Sequence, residues 1–320
     1  MIFKRREPWG EMNYDSESQS FRVLTSSSFI SEPYPKAPLV LNVDLTFKCN
    51  MVCSHCVAKD MEKKLGEANK TDLVISDSLL KDINNSPFMV IVITGGEPLL
   101  PQYQNNLDRL ITSIKNKALI IDTNGTIIPS LNMLRKFRSK RVLIRVSWDI
   151  PHPSIESILR KYPDIMYKND LDYVASKQRV IKIIQENNID VAVQSVIHRY
   201  NCNNNNLFSF PYKLQQLNLK HWYIQRFIPS HHKKNENMPL QKYEIVVHKL
   251  QIIARKLGVR CHFKRDKRHN SVYLLVKEGE LYTQSDEKPG DKVYLGKIGR
   301  AEYFMFVSAP DHSARYVIEP

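Results

Sequence analysis

The chain has 320 residues, 42% of them hydrophobic, which is enough for one large α/β domain or for a core domain with a smaller appendage. Lys and Arg outnumber Asp and Glu by 47 to 33, and the formal net charge of +14 favours a polyanionic partner, although from composition alone a solvated basic surface is the more common explanation. No apolar stretch approaches the length of a membrane span, and no signal-like apolar region follows the basic N-terminus, so we expect a cytoplasmic protein without membrane contact. Five cysteines are too few for a disulfide framework in this length of chain, which favours a reducing compartment.

Residues 1–36 are polar and Ser-rich, and we expect an N-terminal arm there. From residue 37 to 229, short β-branched runs alternate with helical patterns. Strands are predicted at 39–45, 89–94, 118–122, 142–147, 191–197 and 222–227, and helices near 77–83, 106–115, 130–137, 172–186 and 208–217. Each parallel return needs a crossover, so this alternation predicts an α/β fold with six βα units, a partial TIM barrel (β/α)6. In such folds the chemistry lies on loops that follow the strands.

Residues 230–320 depart from this rhythm. A helix near 243–257 precedes short β-like runs at 259–263, 272–276, 292–298 and 303–307, separated by glycines. We expect a small C-terminal α+β appendage of antiparallel hairpins that forms a substrate-binding or cap domain.

Three cysteines follow the first predicted strand of the core within eight residues: Cys49, Cys53 and Cys56. Thiolates at this spacing can converge on one inorganic centre, and three of them can hold a four-iron cluster while one iron stays open. A structural zinc site completed by His55 is an alternative, although its ligands would crowd one short turn. Free buried thiols are a further alternative.

The second predicted core strand ends in Thr94-Gly95-Gly96-Glu97-Pro98. Two adjacent glycines leave bare backbone that a small ligand can approach, and Glu97 adds an acceptor for a cationic group. A simple strand-to-helix turn would use the same residues.

The cysteine loop after strand one, together with Gly-Gly-Glu-Pro after strand two, resembles the radical S-adenosylmethionine (radical SAM) superfamily. The resemblance spans roughly residues 38–229 and continues through three later segments. They are Thr123-Asn124-Gly125 after strand three, Ser147-Trp148-Asp149 after strand four, and Ser195-Val196-Ile197 leading to Asn201. One departure is Ile150-Pro151, which stands where the family usually has a glycine after Ser-x-Asp.

This resemblance implies a 4Fe-4S cluster ligated by the three cysteines, with S-adenosylmethionine (SAM) on the open iron. Reductive cleavage of SAM would then yield a 5′-deoxyadenosyl radical that abstracts hydrogen from a substrate. Gly95, Gly96 and Glu97, with Pro98, would hold the methionine amino group, and His55 would lie against the adenine. The other implied cofactor-binding residues are Thr123, Asn124, Ser147, Asp149, Arg160 and Gln194. Among these, Ser147 would reach the ribose or the carboxylate, and Arg160 would bind the carboxylate, a role that Lys161 or Arg179 could also fill.

The resemblance also implies an external electron donor such as flavodoxin or ferredoxin. It is strongest to the peptide-modifying branch, whose auxiliary SPASM or twitch domain would here be degenerate and clusterless, since Cys261 is the only cysteine after Cys202. We therefore expect a peptide or protein substrate. A nucleotide or other phosphorylated small molecule is the alternative that the net charge favours, and a non-catalytic metal-binding or nucleic-acid-binding protein is the alternative of another class. Basic runs at 231–234 and 264–269 could receive phosphates, but aromatic residues are sparse there, so stacking on nucleic acid has little support.

Overall fold

The computed structural model describes residues 1–7, 10–25, 38–56, 72–163, 167–227, 238–263, 272–284, 292–299 and 316–319. The strands are β1 Ile2–Glu7, β2 Gly10–Asp15, β3 Ser20–Thr25, β4 Val40–Thr46, β5 Val90–Gly95, β6 Ala118–Thr123, β7 Leu143–Ser147, β8 Val191–Ile197, β9 His221–Arg226, β10 Arg260–Phe263, β11 Val272–Val276, β12 Glu280–Gln284, β13 Lys292–Lys297 and β14 Tyr316–Glu319. The α-helices are α1 Asp77–Asn85, α2 Gln104–Ser113, α3 Leu131–Ser139, α4 Pro153–Leu159, α5 Asp170–Glu186, α6 Asn205–Gln216 and α7 Leu240–Lys256.

A ten-stranded sheet forms the centre of the fold, in the order β10-β9-β8-β7-β6-β5-β4-β11-β12-β13. Strands β4 to β9 are neighbours in chain order, and each pairs in parallel with the next. This confirms the mixed α/β fold with a partial TIM barrel. The described strands do not close into a full barrel, because β10 and β13 stand at the two ends of the sheet.

The two faces of the central sheet carry separate apolar clusters. On the outer face, residues such as Val43, Ile93 and Ile121 pack against the helices in the larger cluster. Side chains alternate between faces along a strand, so the intervening residues line the inner face, which we call the lumen. Lumen residues such as Val92 and Ile120 belong to the second cluster.

The N-terminal segment supplies the remaining buried residues of the lumen cluster. Strands β1, β2 and β3 form an antiparallel sheet, to which β14 adds a parallel strand. Met12, Tyr14, Phe21 and Val23 of this sheet are buried against the lumen residues. We predicted no strands within residues 1–36, because their polar average hides the alternation of these four apolar side chains. Residues 26–37 lie outside the described residues.

The C-terminal region extends the central sheet at both ends. Strand β10 pairs in parallel with β9, and β11 pairs in parallel with β4, whereas we expected only antiparallel hairpins there. The expected hairpin pattern occurs in β11-β12-β13. The domain boundaries at 36 and 229 remain predictions, and strands from both sides of residue 229 share one sheet.

Helix α4 was not predicted, since its seven residues give little periodicity. None of the helices in the described part of the chain is long and apolar enough to cross a bilayer.

Candidate active site

Cys49 is the third residue after β4, and all three cysteines of the loop are partly buried. Cys49 Sγ accepts hydrogen bonds from Met51 N at 3.4 Å and Asn124 Nδ2 at 3.7 Å. Burial raises the pKa of the Cys49 thiol, and it raises the pKa of Cys53 to about 12, although Arg160 opposes the shift there. Without a metal both thiols are therefore protonated at neutral pH, and a metal centre would stabilise their thiolates.

The donor set bears on the kind of metal centre. Cys49, Cys53 and Cys56 are free, partly buried thiols on one loop. Thiolate sulfur is the ligand that iron–sulfur clusters take, so the residues present fit such a cluster.

The glycine pair brings the cysteine loop onto the end of β5. Gly96 N donates to Thr46 O at 2.5 Å, and Glu97 N donates to Lys48 O at 2.9 Å. A Cβ on Gly95 would lie 2.2 Å from Thr46 O, and one on Gly96 would lie 1.9 Å from Lys48 O. The bare backbone at Gly95 and Gly96 is thus needed for the close approach of the loop itself.

Glu97 is fully buried and joins the ends of β5 and β6. Its Oε1 accepts from Thr123 Oγ1 at 2.8 Å and Leu99 N at 3.1 Å, and its Oε2 accepts from Asn124 N at 2.7 Å. Burial raises the pKa of Glu97 to about 7 despite these hydrogen bonds. Pro98 beside it is also buried.

Hydrogen bonds among Asn50, Asn124 and Thr126 connect the cysteine loop to the loop after β6. Asn124 Nδ2 donates to Asn50 Oδ1 at 2.8 Å, and Asn50 Nδ2 donates to Thr126 Oγ1 at 2.8 Å. Thr126 Oγ1 donates back to Asn124 Oδ1 at 2.6 Å. The predicted Thr-Asn-Gly segment therefore lies against the cysteine loop.

Asp149 and Arg160 form a buried ion pair behind the end of β7. Arg160 Nη2 donates to Asp149 Oδ1 at 3.0 Å, and Val196 N donates to the same oxygen at 2.7 Å. Burial alone would raise the pKa of Asp149, but Arg160, His55 and His198 together outweigh it and hold the pKa below its ordinary value. Ser147, at the end of β7, is half-buried.

Sequence reasoning missed two residues of this network, Glu156 and Lys177. Lys177 Nζ donates to Glu156 Oε1 at 2.5 Å and to Ser147 O at 2.7 Å, and both side chains are fully buried. Glu156 Oε2 accepts from the backbone N–H groups of Asp149 and Ile150. The available signal was Lys177 itself, a charged residue on the apolar face of α5.

His55 lies in a buried cluster with His198 and Asp149. Its ring centroid is 4.6 Å from that of His198, and its Nε2 is 3.5 Å from Asp149 Oδ2. Burial lowers the pKa of His55 well below its ordinary value, so the ring is neutral. The three residues have metal-ligating atoms within 4.8 Å of one another, but Arg160 Nε lies 2.9 Å from Asp149 Oδ2 and opposes a cation there. Sequence reasoning did not identify His198.

Gln194 is on the lumen face of β8, in register with Ser147 of β7 and Tyr223 of β9. Its Oε1 is buried, and it has no hydrogen-bond partner within the described part of the chain. An acceptor in this state calls for a donor from water or from a bound molecule. The basic runs 231–234 and 264–269 lie outside the described residues.

The comparisons with known proteins identify the family. Residues 43–201 match the family model of the radical SAM superfamily. This part of the chain belongs to that superfamily. Radical SAM proteins are enzymes that use a 4Fe-4S cluster and SAM.

Two curated relatives match parts of this chain. One is the antilisterial bacteriocin subtilosin biosynthesis protein AlbA of Bacillus subtilis (strain 168), 27% identical over 144 residues, which are 44% of this chain and 30% of the relative. The other is 7-carboxy-7-deazaguanine synthase of Bacteroides thetaiotaomicron, 32% identical over 78 residues, which are 24% of this chain and 37% of the relative. The chain thus spans about a third of the length of either relative.

Among solved structures, Streptococcus suis SuiB bound to S-adenosylmethionine has a TM-score of 0.67 at 9% identity, covering 97% of this chain and 87% of SuiB. At this identity the likeness shows the fold alone, and it supports the partial barrel of this chain.

Proposed function

We propose that the chain is a radical SAM enzyme that reductively cleaves SAM at a 4Fe-4S cluster held by Cys49, Cys53 and Cys56. The observation that carries this proposal is the backbone contact between the cysteine loop and Gly95-Gly96, inside a domain of this superfamily. The cluster, when bound, would supply the electron that splits the sulfonium of SAM. The resulting 5′-deoxyadenosyl radical would modify a substrate.

The residues around the cysteine loop offer suitable contacts for SAM. Within the described residues Glu97 Oε2 accepts one hydrogen bond, so it keeps a lone pair for the methionine amino group. Ser147 and Gln194, which are in register on β7 and β8, offer a hydroxyl and a carbonyl oxygen that has no partner among the described residues. The N-terminal sheet covers the opposite end of the lumen, which would limit water at the reacting centre.

A peptide or protein is the substrate that we propose. The relative AlbA is named for bacteriocin biosynthesis, and SuiB has been solved bound to precursor peptide SuiA, at a TM-score of 0.66. The precursor peptide bound to SuiB supports a peptide substrate for this chain. A donor such as flavodoxin or ferredoxin would deliver the electron to this chain.

A nucleotide or other phosphorylated small molecule is the second candidate. The formal charge of +14 favours an anionic ligand, and a deazaguanine synthase is among the relatives. Turnover with candidate substrates separates the two: a peptide substrate would raise 5′-deoxyadenosine formation in the presence of peptides, and a nucleotide substrate would raise it with nucleotides.

The proposed cleavage itself can be tested without a substrate. The chain is reconstituted anaerobically with iron and sulfide, reduced with dithionite and incubated with SAM, and 5′-deoxyadenosine is measured by mass spectrometry. We expect formation of this product by the wild type and its loss in Cys53→Ala, with Cys202→Ala as the matched control that keeps it. Product formation by Cys53→Ala would show that the cluster assignment is wrong.

A further inference from the structure

Residues 51–54 of the cysteine loop run antiparallel to residues 159–161, at the C-terminal end of α4. Val52 N donates to Lys161 O at 2.7 Å, and Ser54 N donates to Leu159 O at 3.3 Å. These two hydrogen bonds flank Cys53 and Arg160, which are therefore directly opposite each other. Arg160 thus lies across this backbone pair from Cys53.

The guanidinium of Arg160 is held in place by Asp149. It makes two contacts with the carboxylate, at 3.0 Å from Nη2 to Oδ1 and 2.9 Å from Nε to Oδ2. Asp149 is itself fixed by Val196 N, and Arg160 is only 7% exposed. A fixed charge with so little water around it is weakly screened.

Arg160 and Lys177 are the two buried cations of this network, and each is paired with a carboxylate, Arg160 with Asp149 and Lys177 with Glu156. Of the two, Arg160 is the one whose backbone lies opposite Cys53. A change at Arg160 or Asp149 therefore changes the charge beside Cys53.

We propose that Arg160 is a positioning residue that sets the charge at Cys53 and raises the reduction potential of the bound cluster. Reduction adds one electron from a low-potential one-electron donor, with no bond formed or broken, and lowers the net charge of the cluster by one. A fixed positive charge beside a ligating thiolate stabilises that more negative state. This inference rests on the proposed function, and it differs from the expected contact with the SAM carboxylate because it acts when SAM is absent.

The experiment is a redox titration of the reconstituted chain without SAM, followed by electron paramagnetic resonance (EPR). We expect Arg160→Gln to lower the midpoint potential, with about a tenfold loss in the ratio of reduced to oxidised cluster at fixed potential, about 59 mV for one electron. Arg160→Lys keeps the charge and should stay close to wild type. Asp149→Asn removes the compensating negative charge and should raise the midpoint. If Arg160 only stabilised the fold, Arg160→Gln and Asp149→Asn would not shift the midpoint potential in opposite directions.

Arg145→Gln is the matched control, since Arg145 is an equally buried arginine paired with Asp122 at 2.6 Å on the lumen side. The midpoint reduction potential of the cluster in Arg145→Gln should equal that of the wild type. Equal midpoints in all variants, or shifts of the same sign in Arg160→Gln and Asp149→Asn, would overturn the inference. If Arg160→Gln does not fold, an upward shift in Asp149→Asn with an unchanged Arg160→Lys still supports it, and an unshifted Asp149→Asn refutes it. A wild type that binds no iron would instead overturn the proposed function.

Discussion

Glu97 combines complete burial with a pKa near neutrality. Its carboxylate accepts hydrogen bonds from Thr123, Leu99 and Asn124, but burial still raises the pKa to about 7 from 4.5. In the unfolded chain the same group titrates near its ordinary value. The folded state therefore holds a proton that the unfolded state releases between pH 4.5 and 7.

The Glu97→Gln variant tests this coupling. The unfolding free energy of the wild type minus that of Glu97→Gln should be greatest below pH 4.5. This difference should fall by about 2–3 kcal/mol between pH 5 and pH 8. Urea unfolding of the metal-free chain at both pH values measures it. A stability difference that does not change with pH would show that Glu97 has an ordinary pKa.

At the scale of elements, the cysteine loop and β5 depend on the absence of a side chain at residue 96. Gly96→Ala would place a Cβ 1.9 Å from Lys48 O, so the loop must move. We expect a loss of about 1–3 kcal/mol in unfolding free energy and less than half of the wild-type iron per chain after reconstitution.

The control for Gly96→Ala is Gly258→Ala. The new Cβ meets nothing within 4 Å there, and the left-handed backbone with φ of +73° costs about 1 kcal/mol. Iron content should be unaffected. Full iron loading by Gly96→Ala would contradict the proposed need for close approach.

Helices α4 and α5 are joined through the buried pair of Glu156 and Lys177. Lys177→Met leaves the carboxylate of Glu156 buried without its cation, and we expect a loss of about 3–5 kcal/mol in unfolding free energy. The double variant Glu156→Gln/Lys177→Met should lose less unfolding free energy than Lys177→Met, because no charged carboxylate is left without its cation. Lys182→Ala, which removes an exposed contact of 3.9 Å with Glu186, should stay within about 0.5 kcal/mol of wild type. Equal losses in Lys177→Met and Lys182→Ala would contradict a buried pair.

At the scale of the whole molecule, the N-terminal sheet covers the lumen of the partial barrel. Met12 is fully buried among lumen residues. We expect Met12→Ala to cost about 2–5 kcal/mol in chemical unfolding. Lys4→Ala, at an exposed position of β1, is the control and should be near neutral. Similar values for both variants would mean that the N-terminal sheet contributes little to the fold.

The core could be predicted from the sequence because its strands and loops follow local rules. β-Branched runs such as 191–197 match β8, and the cysteine spacing with Gly95-Gly96 identified the family. The parallel pairing of β10 and β11 with the core, and the N-terminal sheet, depend on contacts between residues far apart in the chain. Glu156 and Lys177 were missed for a similar reason, since a buried ion pair is visible only when both partners are in place.

The central claim is that three cysteines hold a 4Fe-4S cluster whose open iron binds SAM. The most direct measurement is EPR of the dithionite-reduced, reconstituted chain with and without SAM. We predict about four irons per chain and a reduced-cluster signal that changes when SAM is added. A chain that binds zinc instead of iron, or a cluster signal that SAM leaves unchanged, would contradict the claim.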